Sequence, residues 1–191
     1  MITADKAILL LIDNYEGKIR GKTLIQKRIY FLCNLLKEDM DFGYDAHYYG
    51  PYSSEVEEGL SLVKSLGFIE EHTLGFGTQN QDGFEIRRYD YSLTEDGKTI
   101  VRMLERKAQK ECEKIRRVLK KMQDAGDNGD YVSLSIAAKT YHILSRKTQP
   151  MTTEAIHSEA KKFGWNIKPE SIDRASSFLE KLNLVKKTAN G

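Results

Sequence analysis

Four histidines (His47, His72, His142, His157) and two cysteines (Cys33, Cys112) are the side chains best suited to metal binding or nucleophilic attack. Their spacing supports neither. A metal-binding helix face needs ligands at i and i+4, a zinc knuckle needs closely paired cysteines, and none of the six has a companion at such spacing. Cys112 lies among Arg106, Lys107, Lys110 and Lys114, charges that would favour its thiolate, but no general base stands near it in the chain. Gly75-Phe76-Gly77 is not followed by a helix start at the spacing of a phosphate-binding loop, so a hairpin tip is the better reading. No catalytic, cofactor-binding or metal-ligating residue is therefore expected, and no cofactor.

What remains is charge and aromatic surface. The 191 residues carry 30 Lys and Arg against 28 Asp and Glu, a net of +2, but the signs are segregated. Residues 38–72 hold nine acidic side chains against Lys64 alone, and residues 97–122 hold ten basic ones against Glu105, Glu111 and Glu113. Two poles of opposite sign are expected. Between them, Gly50-Pro51 can form a rigid bend that presents Tyr48, Tyr49 and Tyr52, residues that supply large contact area at low entropic cost. The alternative for these rings is core packing between helices.

Several elements are needed to place these groups. Ile8, Leu11, Ile12 and Tyr15 predict a helix over 3–15, and Ile25, Ile29, Leu32 and Leu36 a second over 22–37, joined by a turn at 16–21. Ala46-His47-Tyr48-Tyr49 reads as a short strand, after which Ser53 or Ser54 caps a helix carrying Val56, Leu60 and Val63 and ending at Gly67. Alternation over 68–73 and 84–91 predicts a hairpin around a tip holding Gly75, Gly77, Asn80 and Asp82-Gly83. Thr94 then opens one long basic helix to about Met122. The polar stretch 124–130 reads as a linker. Beyond it come a helix with Leu134, Ala137, Ala138 and Tyr141, a helix capped by Thr152 and ended by Gly164, a helix opened by Pro169, and strand-like Leu184-Val185.

The expected fold is mostly α with a small β-hairpin wing: a winged helix-turn-helix domain over 1–123 that includes the long basic helix, then a second small helix-turn-helix unit over 130–191. A glycine-terminated third helix, a hairpin and a return to a capped helix are the punctuation of a winged helix. Such folds bind DNA in some proteins and other proteins elsewhere. Nucleic-acid candidates are Arg87 and Arg88 on the wing, Arg116, Arg117, Lys120 and Lys121 on the long helix, and Arg174 and Lys181 on the last helix. Glu55, Glu57 and Glu58 on the third helix would repel phosphate, and with the three tyrosines they are the candidates for a basic protein partner. The blander account of each charged face is a solvated surface. The heptad-like seam Val101, Leu104, Ala108, Ile115, Val118 and Met122 would serve either a homodimer through residues 98–122 or packing within the chain. No apolar run approaches the roughly 18 residues of a membrane span, so a cytoplasmic protein without membrane contact is expected.

Leu24-Ile25-Gln26-Lys27-Arg28-Ile29-Tyr30, followed by His47-Tyr48-Tyr49-Gly50-Pro51-Tyr52-Ser53-Ser54-Glu55-Val56, resembles the YwgA-like proteins and the related Panacea domain of SocA-like antitoxins, in which a Leu-Gln-Lys helix precedes a Tyr-Gly-Pro turn. Gly164-Trp165 resembles a further YwgA-like element before the last helix. Ile25 departs from the Leu-Gln-Lys run, and the long basic helix has no Panacea counterpart. The resemblance implies a prokaryotic, non-catalytic protein; on the Panacea side it implies an antitoxin that neutralises a protein toxin. Two functions are thus expected in order: a non-enzymatic winged-helix regulator binding double-stranded DNA through the basic pole, then an antitoxin-like or adaptor module.

Overall fold

The computed structural model describes residues 2–79 and 85–186. Among these are eight helices and one small antiparallel sheet of three strands, the sheet packed against α1, α2, α3 and α4. The chain runs α1 (Ala4–Asn14), β1 (Lys18–Arg20), α2 (Lys22–Leu35), α3 (Ser54–Ser65), β2 (Ile69–Gln79), β3 (Glu85–Leu93), α4 (Glu95–Lys107), α5 (Gln109–Ala125), α6 (Tyr131–Leu144), α7 (Thr153–Lys162) and α8 (Pro169–Lys181).

Helix α1 is the centre. Ala4 and every residue from Ala7 to Ile12 are buried, so it is apolar on all sides, as a helix enclosed by others must be. It packs against α2, α3, α4 and α5. Helices α6 and α8 add Leu134, Ala138, Tyr141, Leu179 and Leu182 to the same buried cluster, while Ile143, Ile156, Trp165, Ile167 and Ile172 form a smaller one with α7.

Helix ends follow their capping chemistry. Ser53, Thr94, Asp130 and Thr152 each accept a backbone N–H from their helix's first turn: those of Val56, Gly97, Val132 and Ala155 respectively. Gly67, at φ 72°, turns the chain from α3 into β2. The sheet order is β1-β3-β2, with Ile19 opposite Tyr91 and Ile69 opposite Leu93; these four buried side chains form its inner face.

Five expectations are corrected. The turn at 16–21 contains β1, a strand too short to show a period. Gly75 and Gly77 belong to β2 rather than to the tip, where they accompany a register irregularity between Gly75 and Gln79, the usual place for glycine in a strand; Asn80 and Asp82-Gly83 lie outside the described residues. Residues 46–49 form no strand, only an isolated bridge from Asp45 to Tyr52, and Leu184-Val185 form none either. The long helix is two: Ala108, at φ −137° and ψ 46°, breaks it into α4 and α5, and the elbow lets both halves press on α1, which one straight rod could not do over that length.

Gly97 marks the tightest junction. A Cβ there would lie 2.0 Å from the Phe68 carbonyl oxygen, a backbone atom that cannot rotate away. Gly97→Ala is expected to lower stability by about 1–3 kcal/mol despite alanine's better helix propensity, read as a fall in the urea midpoint at unchanged m.

Candidate functional site

Three consecutive polar residues of α2, Gln26, Lys27 and Arg28, are buried at 3%, 2% and 3% exposure. Burying such groups is costly unless each finds a partner, and each does. Gln26 receives the Ser53 N–H at 3.1 Å and donates to the Ser53 carbonyl at 2.9 Å, while the Ser53 hydroxyl donates to the Phe42 carbonyl. Lys27 donates to the Pro51 carbonyl at 2.6 Å. Arg28 makes a two-pronged ion pair with Asp127, at 2.8 and 2.9 Å, and lies over the Tyr15 ring, whose hydroxyl donates to Asp127 at 2.7 Å. The 124–130 stretch read as a linker is thereby pinned to α2.

The residues that carry the family resemblance therefore meet in space. Gln26 and Lys27 hold the 51–53 turn, and the Trp165 indole donates to the His47 carbonyl at 2.8 Å, joining the Gly-Trp element to the same turn. Gly50 sits at φ 96° with Lys139 packed over it, a conformation open to glycine at no steric cost. Tyr48 and Tyr49 are exposed, at 69% and 65%, and contact each other edge to face; Tyr52 is half-buried beside His47.

Burial, reinforced by the nearby charge of Lys139, lowers the Lys27 pKa to about 8. Between about pH 8 and its ordinary 10.5, the unfolded chain holds this proton and the folded chain does not, so stability rises with pH across that window. The raised pKa of buried Tyr15, Tyr30 and Tyr44 acts oppositely once tyrosines ionise in the unfolded chain near pH 10. Burial raises the Cys33 thiol pKa with the same opposing effect, so the difference is decisive: from pH 8 to 10 the urea-unfolding free energy of the wild type is expected to rise relative to that of Lys27→Met.

The acidic and basic segments touch where Lys114 of α5 pairs with Asp39 at 2.8 Å. On α3, Glu55 and Glu58 are exposed, and Glu57 pairs with Lys22 at 2.6 Å. None of the three bonds to α4 or α5. Among the expected nucleic-acid residues, Arg116 is tied to Asp13 and Glu105, Lys120 to Asp124, Arg88 to Asp90 and Lys121 to the Leu182 carbonyl. Arg117 is exposed without an ion pair among the described residues, as are Arg102, Arg106, Lys107 and Lys110, which were not among the expected nucleic-acid residues. Arg102, Arg106 and Arg116 line one groove at the elbow, and Lys110, Lys114 and Arg117 share a face of α5 at i, i+4, i+7. Arg87 lies on β3 opposite Gly75, and its side chain falls outside the described residues. Arg174 and Lys181 border a cleft between α6 and α8.

Both cysteines and His142 are buried, while His47 and His72 are exposed. The basic neighbours of Cys112 would by themselves favour its thiolate, but burial, with Glu105 and Glu111 nearby, raises its pKa. Burial likewise pushes Cys33 up to about 12 and His142 down to about 4. His142 packs against Phe163 and Trp165, and His72 bonds the Ser92 hydroxyl at 2.9 Å. Among the described residues, no three His, Cys, Asp or Glu side chains converge to hold a metal ion, and no helix is long and apolar enough to cross a membrane.

These features define a mostly helical protein with a small three-stranded antiparallel sheet and a turn bound by buried polar residues. Over 97 residues the chain is 32% identical to the uncharacterized protein YwgA of Bacillus subtilis (strain 168), a stretch amounting to 51% of this chain and 54% of that protein. The chain thus spans about half the length of that relative, and a YwgA-like relationship is supported over that stretch. No protein-family model matches the chain.

Proposed function

We propose that this chain is a winged-helix regulator, with no reaction of its own, that holds duplex DNA on the basic elbow of α4 and α5. The order α1-β1-α2-α3-β2-β3, with the sheet arranged β1-β3-β2, supports the winged-helix reading. The observation that carries the DNA reading is the set Arg102, Arg106, Lys107, Lys110 and Arg117: exposed along α4 and α5, and without carboxylate partners among the described residues. Unneutralised cations of this kind release counterions from phosphate, the main source of affinity for DNA. The docking departs from the usual one, because the third helix presents Glu55 and Glu58 and would be held away from phosphate.

The apolar seam of α4 and α5 is used within the chain, with Val101, Ile115 and Met122 buried. A homodimer through 98–122 would instead rest on Met103, which is 43% exposed.

A second reading, an antitoxin-like or adaptor module, is favoured by Leu62 and Leu66, exposed at 47% and 55% beside Glu58 on α3. Apolar anchors rimmed by acid suit a basic protein partner. Fluorescence anisotropy with a labelled random duplex over a salt series separates the two. The DNA reading expects tight binding at low salt and a log-log slope of about −4.5 if the five cations each meet a phosphate. No binding at low salt would remove it.

A further inference from the structure

We propose that the cleft between the 125–130 segment, α6 and α8 binds a small amphipathic anion, with one oxyanion head and an apolar body. The cavity measures about 430 Å³, within the range of small-molecule sites. Its walls are apolar where helices face it: Val132 and Ile136 from α6, Ala175 and Phe178 from α8. Val132 is 47% exposed, surface that an apolar body would cover.

The polar rim decides the sign of the ligand. Arg174 and Lys181, seven residues apart, lie on the same face of α8 and both border the cavity. Neither has a carboxylate partner among the described residues: Arg174 donates to the Ser171 hydroxyl at 3.3 Å, and Lys181 to the Ala125 carbonyl at 3.5 Å. Two acids also border the cavity, but both are committed elsewhere. Asp127 is bound by Arg28 and Tyr15, and Asp130 caps α6 through the Val132 N–H and the Ser133 hydroxyl. Arg28 cancels the Asp127 charge and Asp130 keeps its own at the start of α6, so Arg174 and Lys181 leave the rim with a net positive charge, which attracts an anion. Arg174 and Lys181, read from sequence as DNA contacts, are reassigned to this head group. This inference does not depend on the DNA reading.

Sodium decanoate is the probe, titrated into the full chain by calorimetry and followed by amide chemical shifts. One saturable site per chain is expected, with shifts confined to residues 126–137 and 171–181. Acetate, which lacks the body, and decyltrimethylammonium, which reverses the head, are expected not to bind there. The double variant Arg174→Glu/Lys181→Glu should weaken decanoate binding on the order of tenfold or more, its unchanged circular dichroism and melting showing that the fold is intact. Absence of saturable decanoate binding, equal binding of the ammonium compound, unchanged affinity in the double variant, or shifts centred elsewhere would each overturn the proposal.

Discussion

Arg28→Ala is expected to cost about 3–5 kcal/mol of folding stability, among the largest losses available from one side chain in this molecule. Arg28 and Asp127 side chains are 3% and 1% exposed, and both nitrogen-to-oxygen contacts are within 2.9 Å. Removing the guanidinium leaves a carboxylate enclosed, with Tyr15 and the Gly129 N–H its remaining donors. The pair's net worth is smaller, since both charges lose their hydration; Arg28→Met/Asp127→Leu should therefore recover much of the single-variant loss. Urea unfolding of the three proteins measures this, and a single-variant loss below about 1 kcal/mol would show the pair to be idle. Acid should act on the same contact. Burial alone would raise the Asp127 pKa, but hydrogen bonds and charge from Arg28, with the Tyr15 hydroxyl, more than offset it, and the net shift is downward. A carboxyl depressed in the folded state contributes stability that is present above its unfolded pKa and lost as pH falls toward the folded one. Wild type should lose this contribution below about pH 4, and Asp127→Asn should not.

The second large effect concerns DNA. Reversing Arg102, Arg106, Lys110 and Arg117 together to Glu is expected to reduce duplex affinity by about a thousandfold or more near 0.1 M salt and to flatten the salt slope by about 0.9 per contact removed. Stability should move little, because none of the four is buried or ion-paired among the described residues. Reversal of Glu55 and Glu58 should leave duplex affinity unchanged or raise it. A loss confined to the Glu variants would transfer the function to α3 and to a protein partner.

The parts of this fold that local chemistry dictates could be read before any coordinates. Thr94 and Thr152 cap the helices they were expected to cap, Ser53 is the one of the two candidate serines that caps α3, Gly67 and Gly164 end theirs with positive φ, and Pro169 opens α8. The failures have a common cause in distance along the chain. β1 exists because three residues near position 19 pair with β3 some seventy positions later, and no periodicity marks so short a strand. The elbow at Ala108 bears no glycine or proline and answers to the shape of α1 beneath it. Gln26, Lys27 and Arg28 were legible as a family motif yet not as a polar core, because Arg28 finds Asp127 99 positions away. Charge segregation was legible, but which cations are neutralised was not: Lys114 meets Asp39 and Arg116 meets Asp13 only through the tertiary fold.

Amide hydrogen exchange with and without a random duplex at low salt tests the central claim most directly, since it reports where the nucleic acid rests. Slowed exchange or mass protection along α4 and α5, centred on 102–117, with α3 unaffected, is the predicted result. Protection centred on 54–66, or no change anywhere on the chain, would contradict it.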